Sequence, residues 1–244
     1  MVFMGNIAAF FDVDGTLYRD SLMIEHFKKL IKYEILDPSI WHGNAKKTFE
    51  NWDKRHGNYE DYLEEVSKIY LNSMKGLNKD YLDFITTQVV KLKGDRVYRF
   101  TRDKIHWHHA QKHLIFFISG APDFLLSKMA EKYHVDYYKG TEYYIDENNN
   151  FTGEIRQMWD SDNKTKAIKD FVLQHDIDLN QSYAYGDTNG DFNMLKMVGH
   201  PVAINPVKEL VINVKNDEEL RNKVTFIVER KDVIYKIPVD TSIL

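Results

Sequence analysis

The segment Ile7–Val13 (IAAFFDV) constrains the chain most: it is apolar up to Asp12, and Asp14-Gly15 follows at once. A short run of consecutive apolar residues closed by a turn signal reads as a strand covered on both faces, as a parallel sheet requires. Two carboxylates at the end of such a strand are costly, because desolvation and mutual repulsion both oppose ionisation. A bound cation or a catalytic task offsets that cost.

Three further runs repeat the form: Leu114–Ile118 (LIFFI) before Ser119-Gly120, Ser182–Tyr185 (SYAY) before Gly186-Asp187, and the shorter Pro201–Ile204 (PVAI). Helical patterns separate them. Phe124–Tyr133 follows Pro122, and Lys164–His175 carries Ala167, Ile168, Phe171 and Val172 on one face. Strands alternating with helices predict the α/β class, with a doubly wound parallel-sheet, Rossmann-like core. Residues 19–100 break the rhythm with amphipathic stretches and no strand pattern. Tyr59–Met74 has Tyr62, Leu63, Val66, Ile69 and Tyr70 in one stripe, and a second stretch runs over Lys79–Lys93. An all-helical cap domain over 19–100, inserted after the first strand into a core of 1–18 and 101–244, is therefore expected. Asn148-Asn149-Asn150, between alternating Tyr143–Ile145 and Phe151–Ile155, predicts a β-hairpin. The tail repeats the alternation at Val224, Phe226, Val228 and at Val233, Tyr235, Ile237, and is expected to extend or flank the sheet.

Composition narrows the function classes. With 43% apolar and 14% aromatic residues the chain has material for a sizeable core. A balance of 33 basic against 37 acidic residues, net −4, gives no basic excess for a nucleic-acid partner. There is no cysteine, which excludes disulfides, thiolate catalysis and cysteine-bound zinc. No apolar run approaches the roughly 18 residues that cross a bilayer. The N-terminal stretch lacks the basic flank and cleavage site of a secretory signal. A cytoplasmic protein without a membrane partner is the expectation.

Asp187 and Asp191 (GDTNGD) follow another buried strand. Strands of a parallel sheet end on one edge, where ligands bind, so Asp12, Asp14, Asp187 and Asp191 are expected to converge. Each acid alone is an ordinary turn former or helix cap, but two such motifs behind two buried strands favour a shared site. All-oxygen ligation suits Mg²⁺ rather than zinc. Ser119 and Gly120, with the N–H groups of a following helix, make a phosphate cradle, a plain N-cap being the alternative. Lys164, near a helix start, is placed to neutralise charge between carboxylates and a phosphoryl group; Lys166 is the rival, and side chains two apart on a helix point in different directions, so at most one of them faces the site.

In order, Asp12-x-Asp14-Gly15-Thr16-Leu17, Ser119-Gly120, Lys164 and Gly186-Asp187-x-x-x-Asp191 resemble the four motifs of the haloacid dehalogenase superfamily. The helical insert and Thr152-Gly153-Glu154-Ile155 resemble its phosphoserine-phosphatase-type branch. The resemblance implies a Mg²⁺-dependent phosphatase acting on a small phosphorylated metabolite through an aspartyl-phosphate on Asp12. It implies that Asp14 serves as general acid and base, and that Mg²⁺ is held by Asp12, the Asp14 backbone carbonyl and Asp187. Ser119, Gly120 and Lys164 are implied as phosphoryl ligands, with Asp191 and Thr16 in support. The glutamate that binds the substrate's ammonium in that branch corresponds by spacing to Ser21. Glu25 lies one turn on, so these two are candidate specificity residues. A phosphomutase or phosphotransferase with the same chemistry, or a non-catalytic phosphate-binding protein, is the alternative. Tyr33, Trp41, Trp52, Tyr59, Tyr62 and Tyr70 are expected to pack among the inserted helices. His106, His109 and His113 are expected to form a solvated face of one helix.

Overall fold

A computed structural model describes residues 5–57 and 59–242; the first four residues of the segment assigned to the core, Asn58 and the last two residues lie outside it. Among the described residues, the first strand, β1 (Ala8–Phe11), is followed by α1 (Leu22–Lys32), α2 (Pro38–Ile40), a π-helical turn at Trp41–Ala45, α3 (Lys46–Asp53), α4 (Tyr59–Met74) and α5 (Lys79–Lys93). Then follow α6 (Arg99–Gln111), β2 (Leu114–Pro122), α7 (Asp123–Tyr133), β3 (Tyr137–Ile145), β4 (Phe151–Arg156), α8 (Ser161–His175) and β5 (Tyr183–Gly186). A 3₁₀ turn at Asn189–Asp191 opens α9 (Phe192–Met197), and β6 (His200–Ile204), α10 (Lys208–Asn216), α11 (Glu218–Lys223), β7 (Thr225–Arg230) and β8 (Val233–Ile237) complete the chain.

The strands form one sheet in the order β4-β3-β2-β1-β5-β6-β7-β8. From β3 to β7 in that order all neighbours are parallel, and β4 and β8 close the two edges antiparallel. The order reverses between β1 and β5, so the crevice at the carboxyl ends of these two strands is the topological switch point, where open α/β sheets bind ligands.

Side-chain alternation explains why the strands read as unbroken apolar runs. Ala9, Phe11, Ile115 and Phe117 face one apolar cluster; Ala8, Phe10, Phe116 and Ile118 face the other. Successive residues of a strand point to opposite faces, so both must be apolar when helices cover both. The first cluster runs without a break from the sheet into the insert, taking in Leu22, Phe27, Tyr62, Val66, Tyr70 and Val89. Of the insert's aromatic residues, Trp52 and Tyr62 stack at 5.1 Å. Tyr33, one of the six expected to pack there, is instead 46% exposed, with Lys29 over its ring.

Two sequence expectations change here. His106, His109 and His113 do not share a helix face, because α6 ends at Gln111 and Lys112 turns the chain in the left-handed region (φ 60°). His106 and His109 are exposed, but His113 turns inward, its Nδ1 2.8 Å from Nδ1 of His108, whose Nε2 is 2.9 Å from the Tyr185 hydroxyl. The strand expected to end at Ile118 runs on to Pro122, because β3 continues to pair with it past an irregularity, Pro122 opposite Thr141.

Within the insert, His26 of α1 is fully buried, with Nδ1 2.8 Å from the Tyr70 hydroxyl and Nε2 3.4 Å from Thr86 Oγ1. Burial holds its pKa down at about 3. The native state then binds fewer protons than the unfolded chain below the ordinary histidine value of roughly 6.5. The stability this neutral imidazole contributes is complete above that value and is lost as pH falls towards the native pKa. In urea unfolding at pH 7 and pH 4.5, the advantage of wild type over His26→Gln should shrink at the lower pH. A gap independent of pH would show that His26 is not the titrating group.

Candidate active site

Asp12 follows β1 directly and is 5% exposed, its N–H donating to the Tyr185 carbonyl of β5 at 2.9 Å. Phe11 is level with Tyr185 across one side and with Phe117 across the other. Asp12 and Asp187 each follow directly on one of these paired strands, and Ser119 lies two residues past Phe117 in β2. One ligand oxygen each from Asp12, Asp187 and Asp191 lies within 4.8 Å of the others, and all three residues are buried.

Lys164, from the first turns of α8, ties the group together, its ammonium donating to Asp12 Oδ1 at 2.7 Å and Asp191 Oδ1 at 2.6 Å. The second oxygen of Asp191 accepts the N–H groups of Asp187 and Thr188 at 3.0 and 3.1 Å. Thr16 donates from Oγ1 to Asp187 Oδ1 at 2.7 Å. Burial pushes Asp12 up to about 7, with Lys164 pulling the other way. Burial also raises Asp187 well above the usual carboxylate range, Asp12 and Asp191 adding repulsion. Burial opposes the charge on Lys164, but Asp12 and Asp191 overcome it and raise its pKa.

The carboxylate of Asp14 is turned away from this group. Its Oδ2 accepts the Ser21 hydroxyl at 2.9 Å and its Oδ1 the Leu22 N–H at 3.0 Å, so it sits against the start of α1. Burial raises Asp14 to about 7, the Leu22 and Ser21 hydrogen bonds working against the rise. Asp14 therefore populates a neutral acid near neutral pH.

Ser119 is 1% exposed and its Oγ accepts the Ala121 N–H at 3.3 Å. Gly120 is pressed against Trp159, whose Cβ would lie 2.8 Å from an added Cβ. Both remain within β2, and α7 begins only at Asp123, so neither residue stands at the helix start where the cradle was expected. Ser21 is 2% exposed, its hydroxyl donating to Asp14 Oδ2 at the start of α1. Glu25 is engaged elsewhere, in ion pairs with Arg96 at 3.3 Å and Lys93 at 3.8 Å.

Three buried carboxylates against one ammonium leave an excess of negative charge if all are ionised. A divalent cation that prefers oxygen, such as Mg²⁺, fits both the donor set and that excess. Tyr59 was grouped from sequence with the packing aromatics. It does pack there, its ring 5.4 Å from that of Trp52 and 6.2 Å from that of Tyr62, and burial raises its phenol well above its ordinary pKa, with Asp187, Asp14 and Asp20 adding to the rise.

The family model described as haloacid dehalogenase-like hydrolase matches residues 9–196, a span that contains every residue of this group. The chain belongs to this family. Within the haloacid dehalogenase-like hydrolases, it is 25% identical over 205 residues to the "Inhibition of morphological differentiation protein" of Streptomyces azureus, covering 83% of this chain and 73% of that protein. A protein of unknown function from Bordetella pertussis Tohama I shares the fold with TM-score 0.72 at 17% identity, over 91% of this chain and 98% of that one. A substrate-bound phosphoserine phosphatase superposes with TM-score 0.61 at 16% identity, over 93% and 94% of the two chains. The fold is thus that of the phosphoserine-phosphatase-like branch of the haloacid dehalogenase-like hydrolases.

Gly15 shows how closely the site is built. Its φ is +86°, and a Cβ there would collide with the Asp187 carboxylate. Gly76 has a similar φ of +82° but open space around it. Gly76→Ala should cost about 1–2 kcal/mol, the left-handed penalty alone. Gly15→Ala should cost more, because Asp187 must also move. Equal losses in chemical denaturation would refute a tight Gly15–Asp187 approach.

Proposed function

We propose that this hydrolase is a Mg²⁺-dependent phosphatase that cleaves small phosphomonoesters through an aspartyl-phosphate on Asp12. The observation that carries this reading is the split of the acids. Asp12 is held by Lys164 inside a buried group of three carboxylates, while Asp14, two residues on, accepts instead from the Ser21 hydroxyl and the Leu22 N–H at the α1 start. A nucleophile that must be ionised and a proton donor that must be neutral need such different surroundings.

An Asp12 oxygen attacks phosphorus and the bond from phosphorus to the alcohol oxygen breaks. The departing oxygen takes the proton of the Asp14 carboxyl. The Asp14 carboxylate then takes a proton from a water whose oxygen attacks the aspartyl-phosphate. The bond to Asp12 breaks, and inorganic phosphate leaves. Asp12, Asp187 and the Asp14 carbonyl would hold Mg²⁺, with Asp191 beside them, and the ion would supply fixed positive charge opposite the phosphoryl oxygens. Lys164 and the Ser119–Gly120 segment oppose the same charge from the protein side. The fold is shared with phosphoserine phosphatases, but Glu25 is neutralised by Arg96 and Lys93 and Ser21 is engaged with Asp14. The proposal is therefore the reaction class, with no amino-acid substrate singled out.

With p-nitrophenyl phosphate and Mg²⁺, Asp12→Asn should lower turnover by about 10³-fold or more, and EDTA should abolish it. Turnover that survives both would rule the mechanism out. Because the neutral form of Asp14 is the one that protonates the alcohol, turnover of an alkyl phosphate should fall as pH rises through about 7. Asp14→Asn should be slow and lack that fall at the alkaline side. An unchanged pH profile in Asp14→Asn would remove Asp14 from the acid role.

A further inference from the structure

The C-terminal hairpin reaches the acidic group through a chain of short contacts. Tyr98, the N-cap of α6, makes no side-chain capping bond. Glu229 of β7 takes that place, its Oε1 and Oε2 accepting the N–H groups of Arg99 and Phe100 at 2.9 and 2.8 Å. A carboxylate across the first N–H groups of a helix satisfies two orphan donors and opposes the positive end of the helix dipole. Arg99 adds a bond from Nη2 to the Asp232 carbonyl at 3.2 Å. Glu229 is itself oriented, its N–H donating to Asn205 Oδ1 at 2.9 Å.

The turn pinned in this way carries Thr101, fully buried, whose hydroxyl donates to the Thr16 carbonyl at 2.9 Å and lies 3.3 Å from the Tyr98 carbonyl of its own helix. Thr16 in turn donates to Asp187 Oδ1. Glu229, Thr101 and Thr16 thus form a continuous support ending on one of the three clustered carboxylates. Hydrogen bonds behind a ligating side chain fix its rotamer before the ion arrives, so less freedom is lost on binding.

We infer that Thr101 and Glu229 are positioning residues for the cation site, holding Thr16 and through it Asp187 in the orientation that meets the ion. The inference rests on the metal-dependent reading of the site. The test is direct Mn²⁺ binding to the full chain without substrate, read as loss of the free-ion paramagnetic resonance signal. Mn²⁺ takes the same oxygen donors as Mg²⁺. Thr101→Val, which keeps shape and removes the hydroxyl, should weaken Mn²⁺ about tenfold, and Thr101→Ser should restore it to within about twofold of wild type. Glu229→Ala should weaken it in the same direction, and the double variant should fall short of the sum, since both act on one path.

Thr101→Val that binds Mn²⁺ like wild type overturns the inference. If that variant does not fold, Thr101→Ala and Glu229→Gln are read in the same way. Wild-type protein that neither binds Mn²⁺ nor turns over p-nitrophenyl phosphate with Mg²⁺ overturns the reading of the site and this inference with it. Wild-type binding that no substitution alters overturns the inference alone.

Discussion

One ammonium group holds the centre of this molecule. Lys164 is 2% exposed, and its Nζ is shared by Asp12 from the end of β1 and Asp191 from the turn behind β5. Removing three charges from water is expensive, and their mutual attraction compensates only when the geometry is close and the remaining polar atoms are satisfied. That condition is met around Asp191, whose free oxygen takes two backbone N–H groups. It requires β1 and β5 to be neighbours and α8 to deliver its first turns across their ends. The reversal of strand order at the sheet's centre provides both.

The insert is bound to this arrangement rather than perched on it. Sheet and inserted helices share one apolar cluster, so their relative placement is set by packing over a broad area. Polar contacts then refine it locally. Arg19 N–H donates to the Arg96 carbonyl and Tyr98 N–H to the Leu17 carbonyl, both at 2.9 Å, so the outgoing and returning arms of the insert lie paired beside the site. Apolar burial is non-directional and sets proximity; the hydrogen bonds set orientation.

Much of this was legible in the sequence where the signal is local. The buried strands announced themselves as apolar runs, and Tyr59–Met74 and Lys79–Lys93 as amphipathic stripes whose bounds coincide with α4 and α5. Residues behind adjacent parallel strands must meet, so Asp12 and Asp187 could be paired from spacing and fold class. What could not be read depends on contacts between distant segments. Nothing near Glu25 in the chain indicates that Lys93 and Arg96 would neutralise it, and nothing near Glu229 indicates that it would cap α6. His113 was misplaced for a smaller reason: a helical period continues on paper past the residue whose backbone ends the helix.

The bond between Asp14 and the opening of α1 has a consequence for how such enzymes diversify. The insert begins on the side chain of the proposed proton donor, through a hydroxyl at position 21 and the amide of position 22. A replacement module grafted after the first strand would be free in most of its surface. It would still have to present a donor pair at its entrance, or the acid would lose its aim and its tuned proton affinity. The junction, more than the bulk of the module, is where such a graft would be constrained.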